Sequence, residues 1–458
     1  MKKFSWLIIA ILSISLVAGC SKGVHIATPT SNPVYVGIAE QAVDDMAAGN
    51  TTVAFATFDS VMQKAISQDG LKQIWVQLEA QFGPYQGRLS SKWVYEGVWA
   101  SVIVGMRFEN GDIGFKVTFD PDGKVAGLHT VPLESGGATP TSVAYLNPSY
   151  VDPNSFTETK VTVGTGEWAL PGTLSIPKGN GPFPAVVLVH GSGPNDRDET
   201  IETNKPFKDI AWGLASHGIA VLRYDKRTLV HANLFTPDVL KNLTLQEETI
   251  DDALLAVQLL RSRKEVDPLK IYMLGHSLGA IAAPRIGEQD PSIAGLIIMA
   301  APTRPLEDIY IEQLKCVFGL QASMTDTEKT YLAHEEKKAA LVKSPDLTTD
   351  TPGSELPMGI SGTYWLDIRN YNPATTAATL TIRMLVLQGG RDYQVTPDNL
   401  DGWKTALAGK STATIKLYPD LNHLFVSGTG KSTPEEYSLL GHVAEEVIQD
   451  IAAWIPNK

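Results

Sequence analysis

The spacing of hydrophobic and polar residues changes along the chain and divides it into segments. From residue 35 to about 82 the apolar positions recur at helical spacing, with Gly70 as a break between two predicted helices. From about 92 to 131 the period becomes two, which predicts three or four antiparallel strands. We therefore expect residues 35–133 to form a small α+β domain in which helices pack against a curled sheet.

A second pattern follows a polar stretch. Residues 134–152 begin with glycine, proline and hydroxyl side chains that bury little apolar surface, so we predict a linker there. Across 153–458 apolar strands alternate with helices, after a leading antiparallel hairpin. This alternation predicts an α/β fold with a mostly parallel sheet, right-handed crossovers and helices on both faces. The run "FPAVVLVHG" is apolar throughout, as in strands buried on both faces.

One connection in the second pattern is too long for a simple crossover. Residues 303–378 separate two predicted strands, whereas a connection with its helix needs on the order of 10–15 residues. Much of the stretch has helical periodicity, so we interpret it as an inserted lid. Its aromatic residues Tyr364, Trp365 and Tyr371 either line a substrate pocket or pack in the core.

The N-terminus has the pattern of an export signal. Two lysines precede an apolar run that ends in small residues and is shorter than the ~20 residues of a membrane-spanning helix. Val17-Ala18-Gly19-Cys20 resembles the lipobox of bacterial lipoproteins. The resemblance implies a signal peptide over 1–19, a lipid on Cys20, a tether over 20–34 and an exported protein anchored to the outward-facing surface of a membrane. The alternative is a plain secretory signal in which Cys20 is incidental.

Composition narrows the classes of function. The 458 residues are 43% hydrophobic and 19% charged, a composition typical of a globular protein. The formal net charge of -12 argues against nucleic acid as a partner. Cys316 is expected to be a buried apolar filler. The sequence contains no HExxH and no paired CxxC, so it implies no metal and no organic cofactor.

The pentapeptide Gly275-His276-Ser277-Leu278-Gly279 carries the strongest chemical signal. It follows a predicted strand and precedes a predicted helix, which is the context of a nucleophile elbow. The turn is so tight that a side chain at either glycine would collide with neighbouring backbone. Ser277 is therefore the predicted nucleophile, at a helix N-terminus that favours developing negative charge.

A serine hydroxyl needs a base within hydrogen-bond reach. Three histidines follow Ser277 in the chain. His334 in the insertion and His442 in an amphipathic terminal helix are expected to be structural. His423 follows the last predicted strand, at the carboxyl end of the sheet where binding groups gather in open α/β folds. We predict that His423 is the base.

The acid that orients this base has two candidates. Asp392 lies in the loop after the penultimate predicted strand, and Asp420 lies three residues before His423. We prefer Asp392, because so short a separation makes it hard for Asp420 to reach the far nitrogen of the imidazole. The predicted triad is Ser277, Asp392 and His423, in that chain order.

The oxyanion that forms on attack needs preorganised donors. The N–H of Leu278, the residue after the nucleophile, is the first predicted donor. The loop His190-Gly191-Ser192-Gly193 supplies the second, and Ser192 is the preferred residue. His190 is expected to brace that loop.

Five segments together resemble the α/β-hydrolases: "VLVHGSGPNDRD", "AVLRYDKRT", "GHSLGA", "VLQGGRDYQV" and "YPDLNHLF". Residues 153–458 are similar to bacterial serine esterases related to dienelactone hydrolase and to the S33 and S9 peptidases. This resemblance implies the same triad and the same oxyanion donors. The segment "YDKRTLVHANLF" lacks the glycines and serine common in relatives, so we interpret Asp225 and Arg227 as a structural ion pair. Residues 35–133 resemble a small domain of unknown function found ahead of bacterial hydrolase domains.

These features lead to three hypotheses. The first is a carboxylesterase that cleaves small to medium acyl or aryl esters through an acyl-enzyme. The second is a peptidase of the S33 or S9 kind, favoured if the lid contributes an acidic pocket from Glu335, Glu336 or Asp308. The third is an inactive hydrolase fold that serves as a surface binding module, because fold alone does not prove activity. Every expected catalytic element is present in the expected order, which opposes the third.

Overall fold

The computed structural model describes residues 33–59, 62–63, 66–96, 99–119, 123–132, 145–231, 234–320, 324 and 326–456. The predicted signal peptide, Cys20, most of the tether and much of the predicted linker lie outside these residues. The described residues divide into two compact units, one up to Leu146 and one from Asn147 onward. No helix within these ranges combines the length and the apolar character that a membrane span requires.

The first unit combines helices with an antiparallel sheet. Its described helices are α1 (Pro33–Ala47), α2 (Thr51–Ala56) and α3 (Gln68–Phe82), and its strands are β1 (Tyr85–Glu96), β2 (Trp99–Phe108), β3 (Gly111–Phe119) and β4 (Val125–Pro132). The strands follow one another in the sheet in chain order. Val104 of β2, Phe115 of β3 and Leu71 of α3 share one core. The predicted α+β architecture is therefore confirmed.

The break between the helices of this unit lies before Gly70 and not at it. The Oγ of Ser67 accepts a hydrogen bond from the N–H of Gly70 at 3.0 Å and so caps the start of α3. Gly70 lies in the first turn, where N–H groups lack intrahelical acceptors. The predicted break at Gly70 is wrong, because the serine cap starts the helix and the glycine is one of the residues that it caps.

The second unit is built on a mostly parallel sheet. Its described strands are β5 (Phe156–Val163), β6 (Leu170–Pro177), β7 (Phe183–Val189), β8 (Ala220–Tyr224), β9 (Val266–His276), β10 (Gly295–Met299), β11 (Arg383–Gly389) and β12 (Ala413–Tyr418). Their order is β12-β11-β10-β9-β7-β8-β6-β5. The β5–β6 and β6–β8 pairs are antiparallel and the others are parallel. This confirms the predicted α/β sheet and its leading hairpin.

Helices cover both faces of this sheet. The described ones are α4 (Pro206–Ser216), α5 (Arg227–Val230), α6 (Pro237–Asn242), α7 (Asp251–Arg261), α8 (Leu278–Gln289), α9 (Leu306–Phe318), α10 (Asp326–Lys343), α11 (Gly362–Ile368), α12 (Pro373–Thr379), α13 (Asn399–Ala406) and α14 (Glu445–Trp454). Val187 of β7 packs in one core with Ile286 of α8, and Val186 packs in another with Ile448 of α14. Because neighbouring strand residues point to opposite faces, the continuous apolar run of β7 is buried on both.

The long connection between β10 and β11 is helical and contains α9 to α12. Helices α9 and α10 share a small core of their own, which includes Leu314 and Leu332. Tyr364 and Trp365 of α11 are buried in the main core instead. Tyr371 is half-buried, and its hydroxyl donates to the carbonyl of Ile281 at 2.8 Å. All three aromatic residues are therefore held by packing or by a backbone hydrogen bond, which favours the core interpretation.

Residues 147–152, which the sequence places in the linker, pack on the second unit. The hydroxyl of Tyr150 donates to the carbonyl of Val443 at 2.7 Å, and the N–H of Asp152 donates to Oγ of Ser216 at 3.0 Å. Val151 is buried. The compact unit begins at Asn147 rather than at 153, because an apolar Tyr-Val step finds partners far away in the sequence.

Candidate active site

Ser277 occupies the turn between β9 and α8 with strained backbone angles, φ 52° and ψ -112°. A non-glycine residue adopts positive φ rarely and only when its surroundings hold it there. The N–H of Ser277 donates to the carbonyl of Met299 at 2.9 Å, and its own carbonyl accepts from Ala280 and Ile281. Ser277 is partly exposed whereas the residues on either side are buried. The turn therefore presents one hydroxyl to solvent from a fixed backbone.

Both glycines of the elbow are sterically required. A Cβ built at Gly275 would lie 2.2 Å from the carbonyl oxygen of Gly279, and one built at Gly279 would lie 2.2 Å from the carbonyl oxygen of Val189. These distances are far inside van der Waals contact, and the atoms contacted belong to the backbone, so the chain itself would have to shift. The close approach brings α8 against the end of β7, as the pentapeptide predicts.

Asp392 and His423 meet at the carboxyl end of the sheet. The Nδ1 of His423 lies 2.7 Å from Oδ2 of Asp392, and both side chains are buried. The other oxygen of Asp392 accepts the N–H groups of Gln394 and Val395 at 2.8 and 2.9 Å, which fixes the carboxylate. Nδ1 therefore carries the proton that faces the carboxylate, and Nε2 is left as the basic nitrogen. Asp420, the rival acid, is exposed.

The loops of the histidine and of the nucleophile are tied together. The Nε2 of His276, the residue before Ser277, donates to the carbonyl of His423 at 3.0 Å. The two imidazole rings lie 4.7 Å apart, centroid to centroid. The structure thus brings the predicted base and acid to the elbow that carries the predicted nucleophile.

The predicted oxyanion loop also lies beside the nucleophile. A Cβ built at Gly191 would be 3.3 Å from Cβ of Ser277. The N–H of Gly191 already donates to Oε1 of Glu199 at 2.7 Å, so it is not available to an oxyanion. Within the described ranges, no protein acceptor takes the N–H of Ser192 or of Leu278. Leu278 begins α8, where the first N–H groups have no intrahelical acceptor, so both predicted donors are open.

Sequence reasoning missed a second histidine–carboxylate pair at this site. The Nδ1 of His276 lies 3.0 Å from Oε2 of Glu199, an ion-pair distance, although the two groups are not aligned for a linear hydrogen bond. Burial alone disfavours the imidazolium, but the Glu199 carboxylate outweighs burial and raises the pKa of His276. The imidazolium likewise lowers the pKa of Glu199 against the effect of burial. Neither residue type nor spacing in "NDRDET" and "GHSLG" signals this contact.

The predicted ion pair between Asp225 and Arg227 is wrong. Asp225 pairs with Arg197 at 2.6 Å, and Arg227 pairs with Asp252 at 2.6 Å. Strand β8 ends at Tyr224 and α5 begins at Arg227, so the chain turns between the two residues and directs their side chains apart. Both nevertheless have structural partners.

Three other histidines named above have surroundings that fit a structural role. His190 packs on Phe207, and burial lowers its pKa to about 4, so it is neutral and braces the loop. His334 is exposed on α10. The Nδ1 of His442 lies 3.1 Å from Oδ1 of Asp209. His442 precedes α14 instead of lying within it, which corrects the predicted bounds of the terminal helix.

Cys316 is half-buried on α9 and is not the buried filler that the sequence predicts. It lines a cavity of about 500 Å³ between α9 and the loop that carries Asp392. In the same region the side-chain amide of Gln313 donates to the carbonyl of Gln394 at 3.0 Å. The helical insertion therefore contacts the loop of the predicted acid.

The three carboxylates considered for an acidic pocket in the insertion are all paired. The partners are Lys338 for Glu335, Lys315 for Glu336 and Lys343 for Asp308. A carboxylate that is already compensated attracts a substrate amine weakly. These pairs oppose an aminopeptidase pocket built from those residues.

Comparison with known proteins covers both units. The family described as serine aminopeptidase, S33, matches residues 181–428, and a family of proteins of unknown function, DUF3887, matches residues 39–128. Esterase EstD of Thermotoga maritima is 40% identical over 413 residues, which cover 90% of this chain and 93% of the esterase. That similarity extends over so much of this chain that it includes residues of both units.

Two solved structures illustrate the range of similar proteins. Est1E from Butyrivibrio proteoclasticus shares 16% identity over 65% of this chain and 98% of its own, with a TM-score of 0.40. A puromycin-hydrolyzing peptidase of Mycobacterium tuberculosis shares 17% identity over 81% of this chain and 47% of its own, with a TM-score of 0.41.

Proposed function

Because the chain belongs to the α/β-hydrolase family of S33 serine hydrolases, we propose that it is a carboxylesterase that cleaves small to medium acyl or aryl esters. The 40% identity to an esterase over nine-tenths of both chains supports ester rather than peptide cleavage. The observation that carries the proposal is the buried His423–Asp392 pair beside a partly exposed serine on a strained elbow.

The proposed reaction has two steps. The Oγ of Ser277 attacks the ester carbonyl while Nε2 of His423 takes its proton, and Asp392 stabilises the imidazolium that forms. The N–H groups of Ser192 and Leu278 hold the oxyanion. Collapse breaks the bond to the leaving alcohol, which receives the proton from His423. Water then attacks the acyl-enzyme by the same route and releases the acid and the free serine.

A serine peptidase is the alternative, since the description of the matching family names an aminopeptidase. An aminopeptidase must bind the free amine of its substrate, usually through uncompensated negative charge. The lysine partners of Glu335, Glu336 and Asp308 oppose such a site in the insertion.

We propose that residues 303–378 act as a lid that shapes the acyl pocket, supported by the contact of Gln313 with the loop of Asp392.

We further propose that the enzyme is an exported lipoprotein anchored through Cys20. The support is the lipobox-like Val17-Ala18-Gly19-Cys20 after a short apolar run, which lies outside the described residues. Two or more acyl chains on one N-terminus are enough for stable anchoring, since each buried CH₂ contributes ~0.8 kcal/mol. A Cys20→Ser protein should move from the membrane fraction to the soluble fraction and lose labelling by radioactive palmitate. Unchanged fractionation and labelling would contradict the anchor.

The activity is tested with the protein from Ser21 onward and its Ser277→Ala variant. We expect hydrolysis of p-nitrophenyl esters that falls at least about 10⁴-fold in the variant, because the nucleophile is lost. Ser262→Ala, which removes a hydroxyl that donates to the carbonyl of Leu259 at a helix end, is the matched control and should keep full activity. Turnover of aminoacyl or prolyl anilides instead of esters would indicate the peptidase. Turnover of neither would favour an inactive binding module.

A further inference from the structure

Lys226 is a buried charge at the active site that the reaction described above does not use. It lies in the loop between β8 and α5 and is 2% exposed. Its Nζ donates to the carbonyl of Gly191 at 2.9 Å and to Oε1 of Glu248 at 2.7 Å. Burying an ammonium is costly unless it is paired, and Glu248 alone would satisfy that requirement. The second contact places the charge on the backbone of the oxyanion loop.

The Gly191 carbonyl and the Ser192 N–H belong to the same peptide unit. A trans peptide is planar, and its C=O and N–H point in opposite directions. An ammonium that holds the Gly191 carbonyl therefore determines where the Ser192 N–H points. The side-chain amide of Asn195 donates to the same carbonyl at 3.2 Å. Two donors on one side of the peptide direct its N–H to the other side.

The preceding peptide is held as well, so the loop has little freedom to rotate. The N–H of Gly191 donates to the buried carboxylate of Glu199 at 2.7 Å. Glycine would otherwise allow this segment many conformations, since it has no Cβ. Gly191 thus has an anion on its N–H and a cation on its carbonyl, and it lies against Cβ of Ser277.

We propose that Lys226 is a positioning residue of the oxyanion hole. It holds the Gly191 carbonyl so that the Ser192 N–H faces the oxyanion of the tetrahedral intermediate that is bonded to Ser277. The inference rests on the proposed serine hydrolase reaction. A charge on the carbonyl also polarises the peptide and makes its N–H a stronger donor. Because Lys226 is buried, we expect its effect in the stability of the oxyanion and not in ground-state binding.

A hydrogen-bonded bridge links this positioning to the helical insertion. The hydroxyl of Tyr364 on α11 donates to Oε2 of Glu248 at 2.7 Å, on the carboxylate whose other oxygen holds Lys226. Burial and the nearby Glu248 carboxylate raise the pKa of Tyr364 well above its usual value, so it remains a neutral donor. The chain of contacts is Tyr364, Glu248, Lys226 and Gly191. The insertion therefore contributes to the geometry of the oxyanion hole.

Lys226→Met is the main test, because it keeps most of the length of the unbranched side chain and removes the charge. We expect kcat for p-nitrophenyl butyrate to fall about 10- to 100-fold, less than the 10²–10³ that follows the loss of a whole oxyanion donor. KM should change less than about twofold. The affinity for an aryl trifluoromethyl ketone, whose adduct with Ser277 carries the oxyanion, should fall by the same factor as kcat/KM. If Lys226 had only a structural role, Lys226→Met would lower the melting temperature but would leave kcat, kcat/KM and the ketone affinity unchanged.

Two matched variants separate positioning from the general loss of a buried charge. Arg227→Met removes the neighbouring buried cation, whose partner is Asp252 and not the oxyanion loop, so kcat should stay within about twofold. Lys226→Met combined with Glu248→Gln leaves no unpaired buried charge and serves if the single variant is unstable. Active-site titration with a fluorophosphonate normalises every kcat to folded enzyme.

The bridge has its own pair of variants. Tyr364→Phe should lower kcat about two- to fivefold, because Glu248 loses one of its donors. Tyr371→Phe removes a comparable hydroxyl that donates to Ile281, away from Gly191, and should leave kcat unchanged.

The outcomes distinguish this inference from the proposed function. Suppose that the wild-type protein hydrolyses esters, and that Lys226→Met and its combination with Glu248→Gln keep the wild-type kcat and ketone affinity. Lys226 then has no positioning role, and the proposed esterase function still stands. If the wild-type protein hydrolyses no ester and binds no ketone, the proposed function and this inference both fall. Restored kcat in Lys226→Arg, which keeps the charge, would support positioning further.

Discussion

Two buried histidine–carboxylate pairs lie side by side at the candidate active site and differ in what the second imidazole nitrogen contacts. In each pair Nδ1 faces a carboxylate: His423 faces Asp392 at 2.7 Å, and His276 faces Glu199 at 3.0 Å. The Nε2 of His276 donates to the carbonyl of His423. Within the described residues, no protein group forms a hydrogen bond with Nε2 of His423.

This difference gives the two histidines different proposed roles, one structural and one as a general base. A histidine whose second nitrogen is bound to a carbonyl has no basic lone pair to offer, so His276 with Glu199 holds the loops together as an ion pair. His423 keeps an open second nitrogen, which supports its proposed role as the base, with Asp392 orienting the ring. A histidine paired with a carboxylate can therefore have either role, depending on whether its Nε2 is already hydrogen-bonded.

The strongest way to break the comparison is Asp392→Asn. The amide no longer stabilises the imidazolium and favours the wrong tautomer of His423, so kcat should fall about 10⁴-fold. Initial rates on p-nitrophenyl butyrate near pH 8 measure the effect. Asp420→Asn, at the exposed rival position, should keep kcat within about twofold. A large loss in Asp420→Asn with little loss in Asp392→Asn would reverse the assignment of the acid.

The elbow that carries His276 and Ser277 is tested by Gly279→Ala. Alanine favours a helix more than glycine does, yet its Cβ would lie 2.2 Å from the carbonyl of Val189. The clash forces α8 away from β7, so the free energy of unfolding should fall by about 4 kcal/mol or more, as urea denaturation would measure.

Gly37→Ala on α1 is the matched control for this glycine. A Cβ at Gly37 meets no atom within 4 Å, so the first unit should gain about 1 kcal/mol of stability. Equal stability of Gly279→Ala and the wild-type protein would show that the elbow tolerates a side chain.

Glu199→Gln sharpens the comparison through its pH dependence. Glu199 has a lowered pKa, so its contribution is complete above the ordinary value of 4.5 and is lost as pH falls through the lowered value. His276 has a raised pKa, so its contribution is complete below 6.5 and is lost as pH rises through the raised value. The variant should lose about 2–3 kcal/mol of unfolding free energy between pH 4.5 and 6.5.

Urea unfolding of the wild-type protein and Glu199→Gln at a series of pH values from 6 upward measures this difference. The gap should shrink as pH rises through the raised pKa of His276, because the imidazolium then loses its proton. A gap that is already lost below pH 6.5 would mean that the pKa of His276 is not raised in the folded protein. The loss in kcat should be far smaller than for Asp392→Asn, since Glu199 does not contact the base.

The smallest effect is expected from an exposed ion pair in the insertion. Glu336 lies 2.7 Å from Lys315, but the two side chains are 46% and 51% exposed. Water and salt screen such a pair, so Glu336→Gln should change the free energy of unfolding by less than about 0.5 kcal/mol. Its kcat on esters should equal that of the wild-type protein. A marked loss of turnover on aminoacyl anilides alone would instead support a peptidase with Glu336 in its amine site.

The segments of the proposed triad could be located from the sequence because each carries a local signature. The elbow combines two close glycines with a strand before them and a helix after them, and this context is readable within a dozen residues. Asp392 and His423 each follow a predicted strand, so the rule that functional loops gather at the carboxyl end of the sheet places them together. The contact of Asp392 with His423 then follows from the order of β11 and β12 in the sheet.

The charge partners could not be predicted in the same way. The sequence interpretation paired Asp225 with Arg227, whereas the structure gives each a partner on a different element, and it gave no role to Glu199 or Lys226. Buried ion pairs form where folding brings opposite charges together in a region of low dielectric. The partners of such pairs do not recur at a fixed spacing along the chain. The half-burial of Cys316 likewise depends on where α9 lies against the loop of Asp392.

By itself the sequence determined the order of strands and helices, the two-part organisation and the segments that hold the predicted nucleophile, acid and base. These follow from the hydrophobic period and from glycine sterics, which act over a few residues. Only the tertiary structure decided which histidine keeps a basic nitrogen, which N–H groups stay open and which buried charges hold the oxyanion loop. Those outcomes depend on desolvation and hydrogen-bond partners supplied by distant segments, so they exist only once the chain is packed.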